Sequence, residues 1–383
     1  MSELRRRILI VGMADSVHLA RWLSQFSDQN IDFVVFPSSP HRRIHQILEN
    51  LILDTNSEMT VRILPTSMRW LAFPLSALDI PFRNWFRSRL LRNLIRKDPF
   101  DLIHVLELQH AGYLLLDAKL ENRFPKVFIT NWGSDIYWFQ KFPRHNERIQ
   151  QLINLASYYS AECQRDIEMV RNYGFRGITM PVIPNAGGID LAELQGGFQL
   201  TSQRTKIMIK GYTGFVGKAL TALKACEIIA EQLKDYELVI YSASIKTRLK
   251  AMQLRNRFNL QITILKKRTP HKEILQQFLM ARIYVGISLS DGISTSLLES
   301  MACGCFPIQT NTSCANEWIT DKSTGFLVDV WSPNSIAQAI DESLRDSVLV
   351  NTAATKNYQT IKERCSIEVV KAKAVKFYDS MIF

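Results

Sequence analysis

Short apolar, β-branched runs alternate with helix-length segments along the whole 383-residue chain. Ile8 to Val11, Asp32 to Phe36, Thr60 to Leu64, Leu102 to Leu106 and Val127 to Thr130 are almost continuously apolar, the pattern of strands covered on both faces of a parallel sheet. The series then starts over with Lys206 to Ile209, Leu238 to Tyr241, Ile262 to Leu265, Ile283 to Ile287 and Phe306 to Gln309. Two series of this kind predict an α/β protein of two doubly wound, Rossmann-like domains. Pro181-Val182-Ile183-Pro184-Asn185-Ala186-Gly187-Gly188-Ile189-Asp190 separates them and reads as a hinge, which sets the first domain at 1–190 and the second at 191–365.

Candidate chemistry concentrates in the second series. The segment Ser288–Gly304 puts one carboxylate, Asp291, on a loop and another, Glu299, eight residues later on an expected helix, with Gly292-Ile293-Ser294-Thr295-Ser296 between them. A small-residue loop feeding a helix offers backbone N–H groups and a positive dipole end to an anion, and carboxylates accept hydrogen bonds from hydroxyls. Phosphate plus polyol points to a nucleotide-sugar. The same residues also fit a plain capped helix, because Ser296 and Glu299 satisfy the S-x-x-E capping box and Gly304 is a normal helix stop; the two roles can coexist. A second loop, Lys210-Gly211-Tyr212-Thr213-Gly214-Phe215-Val216-Gly217-Lys218, follows a strand and precedes a helix expected from about Ala219. Its glycine spacing excludes both the Walker A loop and the G-x-G-x-x-G dinucleotide fingerprint. A Lys at a helix start is disfavoured by the dipole unless an anion sits beside it, so Lys218 is read as a phosphate ligand.

About fifty consecutive residues from Ser288 onward, with Asp291, Glu299, Ala302, Gly304, Pro307 and Thr324-Gly325 in frame, resemble the donor-site signature of glycosyltransferase family 4, retaining enzymes of the GT-B fold. The hinge is similar to that family's Val-Ile-Pro-Asn-Gly-Val-Asp connection. The resemblance implies two Rossmann-like domains facing a central cleft, the first on the acceptor side and the second binding the donor, with a final helix (366–383) packed back on the first. It implies Lys210, Gly211 and Lys218 at the donor diphosphate, Asp291 at donor-sugar hydroxyls, Glu299 at the ribose and Gly292 to Ser296 as the loop around them. In this chain Asp291 stands where the family has Glu, and Lys210 where it has Arg.

In the first domain, the loop after the first strand carries Asp15, Ser16 and His18, at the sheet edge where wound domains bind ligands. His18 is a candidate catalytic residue there. Val127 to Asp135 is similar to the family's Thr-x-His-Gly-x-Asp loop, with Trp132 in place of His, so His104 or His110 is expected to compensate; Asp135 is a candidate catalytic residue, or else the N-cap of a helix beginning near Ile136. Phe82 to Lys97 mixes aromatic and basic residues and fits either a membrane-facing segment or a partly buried helix with Arg stems laid along it.

The net charge of +11 favours anionic partners without choosing among nucleotide, nucleic acid and lipid headgroup, and no nucleic-acid recognition motif is present. Six cysteines without paired spacing or His neighbours exclude a zinc motif and fit buried thiols in a reducing cytoplasm. No apolar run is long enough for a spanning helix, so the expected location is cytoplasmic, peripheral at the inner face of the membrane. The function that the resemblance implies is retaining transfer of a sugar from a nucleoside diphosphate-sugar, expected to be UDP-linked, to a saccharide or lipid-linked glycan. No cofactor is expected, and no metal, since the chain has no D-x-D. The alternatives are a non-catalytic partner or glycan-binding subunit and a nucleotide-sugar epimerase or hydrolase.

Overall fold

The computed structural model describes residues 5–39, 43–64, 84–120, 125–194 and 199–381. The chain divides into two compact units, one of residues 1–188 and 368–383, the other of residues 189–367. In the first unit, seven parallel strands, β1 (Arg6–Gly12), β2 (Ile31–Pro37), β3 (Thr60–Ile63), β4 (Leu102–Leu106), β5 (Lys126–Thr130), β6 (Tyr158–Ser160) and β7 (Ile178–Thr179), lie in the order β3-β2-β1-β4-β5-β6-β7. Successive residues point to opposite faces. Leu9, Val11, Val34, Phe36, Ile103 and Val105 enter one apolar layer, whereas Ile8, Ile10, Phe33, Val35 and Phe128 enter the other. Both faces are therefore dry, which is why these strands lack polar alternation.

The last helix, Ile367–Met381, closes the second layer with Phe377, Tyr378 and Met381. Buried Tyr378 accepts a hydrogen bond from Trp22 Nε1 at 3.1 Å and also bonds His104 Nδ1. At the surface Lys371 pairs with Asp28 at 2.6 Å, and Arg6 pairs with Asp379.

The second unit has six parallel strands, β8 (Lys206–Lys210), β9 (Glu237–Tyr241), β10 (Gln261–Ile264), β11 (Ala281–Gly286), β12 (Phe306–Thr310) and β13 (Phe326–Val328), in the order β10-β9-β8-β11-β12-β13. The same two-faced burial holds: Ile207, Ile209, Ile283 and Val285 face one layer, Met208, Val239 and Tyr284 the other. The three strands that the apolar pattern did not announce, β6, β7 and β13, are two or three residues long, too short to show a period.

Each sheet reverses its winding once. The chain moves outward from β1 to β3, then returns to place β4 on the other side of β1; in the second unit it does the same around β8 and β11. At such a switch point the two loops leaving the carboxyl ends diverge and open a crevice, which is where open α/β sheets bind ligands.

The helix Trp85–Lys97 buries Ser88, Leu91 and Ile95, while Arg92 Nε and Arg87 Nη1 donate to the carbonyls of Ala118 and Ser38. It is a partly buried helix with Arg side chains bound back to the protein; Phe82 and Arg83 lie outside the described residues. No described helix is long and apolar enough to cross a membrane, and all six cysteines are buried and free.

Candidate active site

The switch point of the second unit brings together the end of β8 and the loop after β11. Lys210, the last residue of β8, is 8% exposed, and its Nζ lies 3.4 Å from Asp291 Oδ2 and 3.2 Å from Ser294 Oγ. Burial pulls the Lys210 pKa down, but the Asp291 charge, aided by the Tyr284 and Tyr212 hydroxyls, outweighs it and holds the ammonium above its usual value. The cation thus stays charged while buried. Asp291 is fixed from both sides, since its Oδ1 accepts from Gly292 N at 3.1 Å.

Ser294 is the N-cap of the helix Thr295–Ala302, yet its side chain makes no capping hydrogen bond and instead accepts from Lys210. The first-turn N–H groups of that helix are left without a side-chain cap, beside a buried cation, as an anion site requires. Ile293 is buried in the apolar layer below, which pins the loop. The predicted capping box is not formed: Ser296 lies inside the helix, because the cap falls two residues earlier. Glu299, 7% exposed, directs Oε1 to His271 Nε2 at 2.7 Å. Gly304 does end the helix in the left-handed region at φ +74.

The glycine loop is laced to the same crevice. Lys218 N donates to Ile287 O at 2.7 Å and Leu289 N to Phe215 O at 2.9 Å. Gly211 sits so close to the neighbouring strand end that a Cβ would meet Tyr241 O at 2.6 Å and Ala243 Cα at 2.7 Å, so only glycine fits. Lys218 occupies the N-cap position of the helix Ala219–Ile228 without a side-chain capping bond, and its Nζ lies 4.8 Å from the centre of the exposed Trp331 ring. The structure thus brings Lys210, Gly292, Ser294 and Asp291 into one cluster, with Thr295, Ser296 and Glu299 on the adjoining helix and Lys218 on the loop bonded to it.

In the first unit the corresponding edge carries the other candidates. Ser16 caps the helix Val17–Ser24 by accepting from His18 N at 3.1 Å, and the His18 ring rests 5.3 Å from that of Trp132. Asp135, 5% exposed, accepts from Leu108 N at 3.0 Å and Trp132 N at 2.9 Å. Burial and the nearby Glu107 charge push its pKa well above the carboxylate range. No helix begins at Ile136; a run of turns leads to the short 3-10 helix Phe139–Lys141, so Asp135 is a loop-bracing residue rather than a helix cap.

His104 does not take the place of the family His. It is fully buried, stacked on Phe128, with Nε2 on Thr130 Oγ1 at 2.7 Å and Nδ1 on Tyr378, so both nitrogens are spent in the core. The sequence reading missed three neighbours of these candidates: His271, Trp331 and Glu107. Only Glu107 left a local sign, its E-x-x-H spacing to His110.

The family model for glycosyl transferases group 1 matches residues 215–362, and the glycosyl transferase 4-like model matches residues 7–163. No curated protein matches the chain in sequence. Among solved structures, the chain is similar to sucrose-phosphate synthase from Thermosynechococcus elongatus, at 13% identity over 98% of this chain and 99% of that one, with a TM-score of 0.70. It is similar to Anabaena HepE in complex with UDP-glucose, at 13% identity over 98% and 99% of the two chains and a TM-score of 0.67. S. aureus TarM, solved as a mutant with Fondaparinux, alpha-GlcNAc-glycerol and UDP, matches at 10% identity over 99% and 100% with a TM-score of 0.72. With one model of this enzyme class on each unit and the fold shared over the whole chain, the protein belongs to the family-4-like, group 1 glycosyltransferases of the GT-B fold.

Proposed function

We propose that the protein is a retaining glycosyltransferase that moves a sugar from a nucleoside diphosphate-sugar, UDP-linked, to a saccharide or lipid-linked glycan. The observation that carries this reading is the buried Lys210 held between Asp291 and Ser294 at the β8/β11 switch point, beside a helix start whose side-chain cap has been diverted. Breaking the anomeric C–O bond puts negative charge on the leaving diphosphate. Fixed N–H dipoles and lysines stabilise such charge without reorganisation. The loop Gly292 to Ser296 and Lys218 are assigned to the diphosphate, Lys210 to orienting Asp291, Asp291 to the donor-sugar hydroxyls, and Glu299, shared with His271, to the ribose. Support for UDP comes from HepE and TarM, whose structures hold UDP-glucose and UDP.

The same reading assigns no metal, because the chain has no D-x-D, so turnover is expected to survive a chelator. Its direct test is nucleotide binding: UDP raises the melting temperature of the wild-type protein, and Glu299→Ala weakens UDP affinity while the variant stays folded. If Glu299→Ala lowers the melting temperature but leaves UDP affinity intact, Glu299 is a structural residue and the ribose assignment is wrong. If UDP, GDP and ADP all leave the wild-type melting curve unmoved, the donor site itself is refuted.

A further inference from the structure

The helix Ile245–Phe258 of the second unit is apolar on two opposite faces. Thr247, Ala251 and Leu254 turn into the core beneath it, and folding requires no more than that face. Ile245, Leu249 and Met252 stand on the other side at the i, i+4, i+7 spacing and are 78%, 58% and 51% exposed. Single exposed apolar side chains are ordinary. Three in one stripe, turned away from the core, mark a contact surface.

The charges of the helix are arranged around this stripe. It carries Lys246, Arg248, Lys250, Arg255 and Arg257 and no acidic residue. At 3.6 residues per turn, Lys246, Lys250 and Arg257 fall along one flank of the stripe and Arg248 and Arg255 along the other. Their contacts agree: Lys250 pairs with Glu227 of the helix Ala219–Ile228, which Arg257 also meets at 2.9 Å. On the opposite side Arg248 Nη2 donates to Leu265 O at 3.2 Å, just beyond β10, and Arg255 Nη2 to Ile262 O within it. One carboxylate shared by two cations leaves the first flank positive. The second continues from Leu265 into Lys266-Lys267-Arg268, all three exposed.

An apolar stripe with basic side chains on both flanks is complementary to the boundary of an anionic lipid leaflet, where acyl carbons lie beside negatively charged headgroups. Lys and Arg stems can lie along such a boundary while their charged ends meet phosphate. The stripe is about 10 Å long and one side chain wide. That covers only a fraction of the ~800 Å² that each partner of a stable protein interface buries, whereas a fluid leaflet takes up isolated side chains.

We propose that the helix Ile245–Phe258 is a peripheral membrane-contact surface, with Ile245, Leu249 and Met252 entering the headgroup boundary of an anionic bilayer and the flanking Lys and Arg side chains meeting lipid phosphates. The expected membrane contact thereby moves from Phe82–Lys97, where Arg87 and Arg92 are bound back to the protein, to the second unit. None of these residues is assigned to the donor, so the contact stands apart from the glycosyl-transfer reading.

The test is sedimentation of the full-length protein with vesicles of phosphatidylcholine alone or mixed with phosphatidylglycerol, without nucleotide or acceptor. The wild type should sediment with the mixed vesicles and not with the neutral ones, and added salt should release it. The triple variant I245S/L249S/M252S should lose at least ~10-fold in partitioning, through its lost apolar burial. K246Q should lose roughly fivefold, the share of one basic residue at an anionic surface. Melting temperatures should stay close to wild type in both variants, because none of these side chains enters the core. Wild-type protein that ignores the mixed vesicles, or binds neutral ones equally well, would overturn the proposal. So would a triple variant that binds as the wild type does, which would place the contact elsewhere. A wild-type dimer in solution that the triple variant turns into a monomer would also overturn it, and would mean that a second copy covers the stripe. Vesicle binding can fail while UDP binding stands, and the reverse, so the two readings fall separately.

Discussion

At the scale of single residues, the chemistry turns on which polar groups the core isolates. Burial holds the His104 pKa well below that of a free imidazole. The unfolded chain binds a proton there below about pH 6.5 and the folded protein does not, so this contribution to stability is complete above that pH and is lost as pH falls. Relative to H104Q, the unfolding free energy of the wild type from urea titration should fall between pH 7.5 and 5.5, with a slope of up to about 1.4 kcal/mol per pH unit. Equal slopes in the two proteins would contradict this. Lys210 and Asp291 give a second residue-scale expectation. Either single replacement, K210M or D291A, strands or removes one charge of the pair, and the double variant should recover part of the loss. Asp291 is about a quarter exposed, so the coupling is expected near 1–2 kcal/mol, below that of a fully buried pair. Additive losses in thermal melting would mean that the pair is incidental. Asp291 and Glu299 were legible in the sequence because their spacing is local. Their pairings were not: Lys210, itself a candidate, lies 81 residues from Asp291, and His271, which the sequence did not single out, lies 28 from Glu299, and only the winding of the sheet brings them together.

At the scale of elements, ten strands were readable from their apolar runs, including the partly exposed edge strands β3 and β10, and β6, β7 and β13 were not, because two or three residues carry no period. The S-x-x-E signal at Ser296 misled for a physical reason. Ser294 already occupies the cap, and its hydroxyl is committed to Lys210, a contact made across the sheet edge that no short motif records. The glycine loop gives a prediction at this scale. Gly211→Ala must push the loop away from the β9 end, where Tyr241 O would be 2.6 Å from the new Cβ. Overpacking of this kind costs about 1–3 kcal/mol. UDP affinity should fall with it, because the loop bonded to Ile287 and Leu289 moves too. A variant with unchanged melting temperature and unchanged UDP affinity would show that the loop has room that the structure denies.

At the scale of the molecule, residues far apart in sequence complete each unit. The final helix belongs to the core of the first unit through Tyr378, which bonds Trp22 and His104 and is fully buried. Tyr378→Ala removes a large buried ring, a loss of about 3–5 kcal/mol on the scale of other aromatic truncations. Hydrogen exchange should lose protection over the strands β1 to β7 and keep it over β8 to β13; uniform loss in both would mean that the two units unfold as one. The two-unit organisation was visible in the sequence as a strand series that restarts after a Pro- and Gly-rich hinge, whereas the strand order was not, because apolar runs say that strands are buried and not which strands are neighbours. That order places both switch points, and both carry the candidate chemistry. The central claim is that the β8/β11 crevice holds a nucleotide-sugar that the enzyme turns over. It is tested most directly by incubating the wild-type protein with a panel of nucleotide-sugars, with acceptor extract, and measuring released nucleoside diphosphate: release from a UDP-sugar, lost in D291A, is the predicted result, and no release from any donor, or release that D291A leaves unchanged, contradicts it.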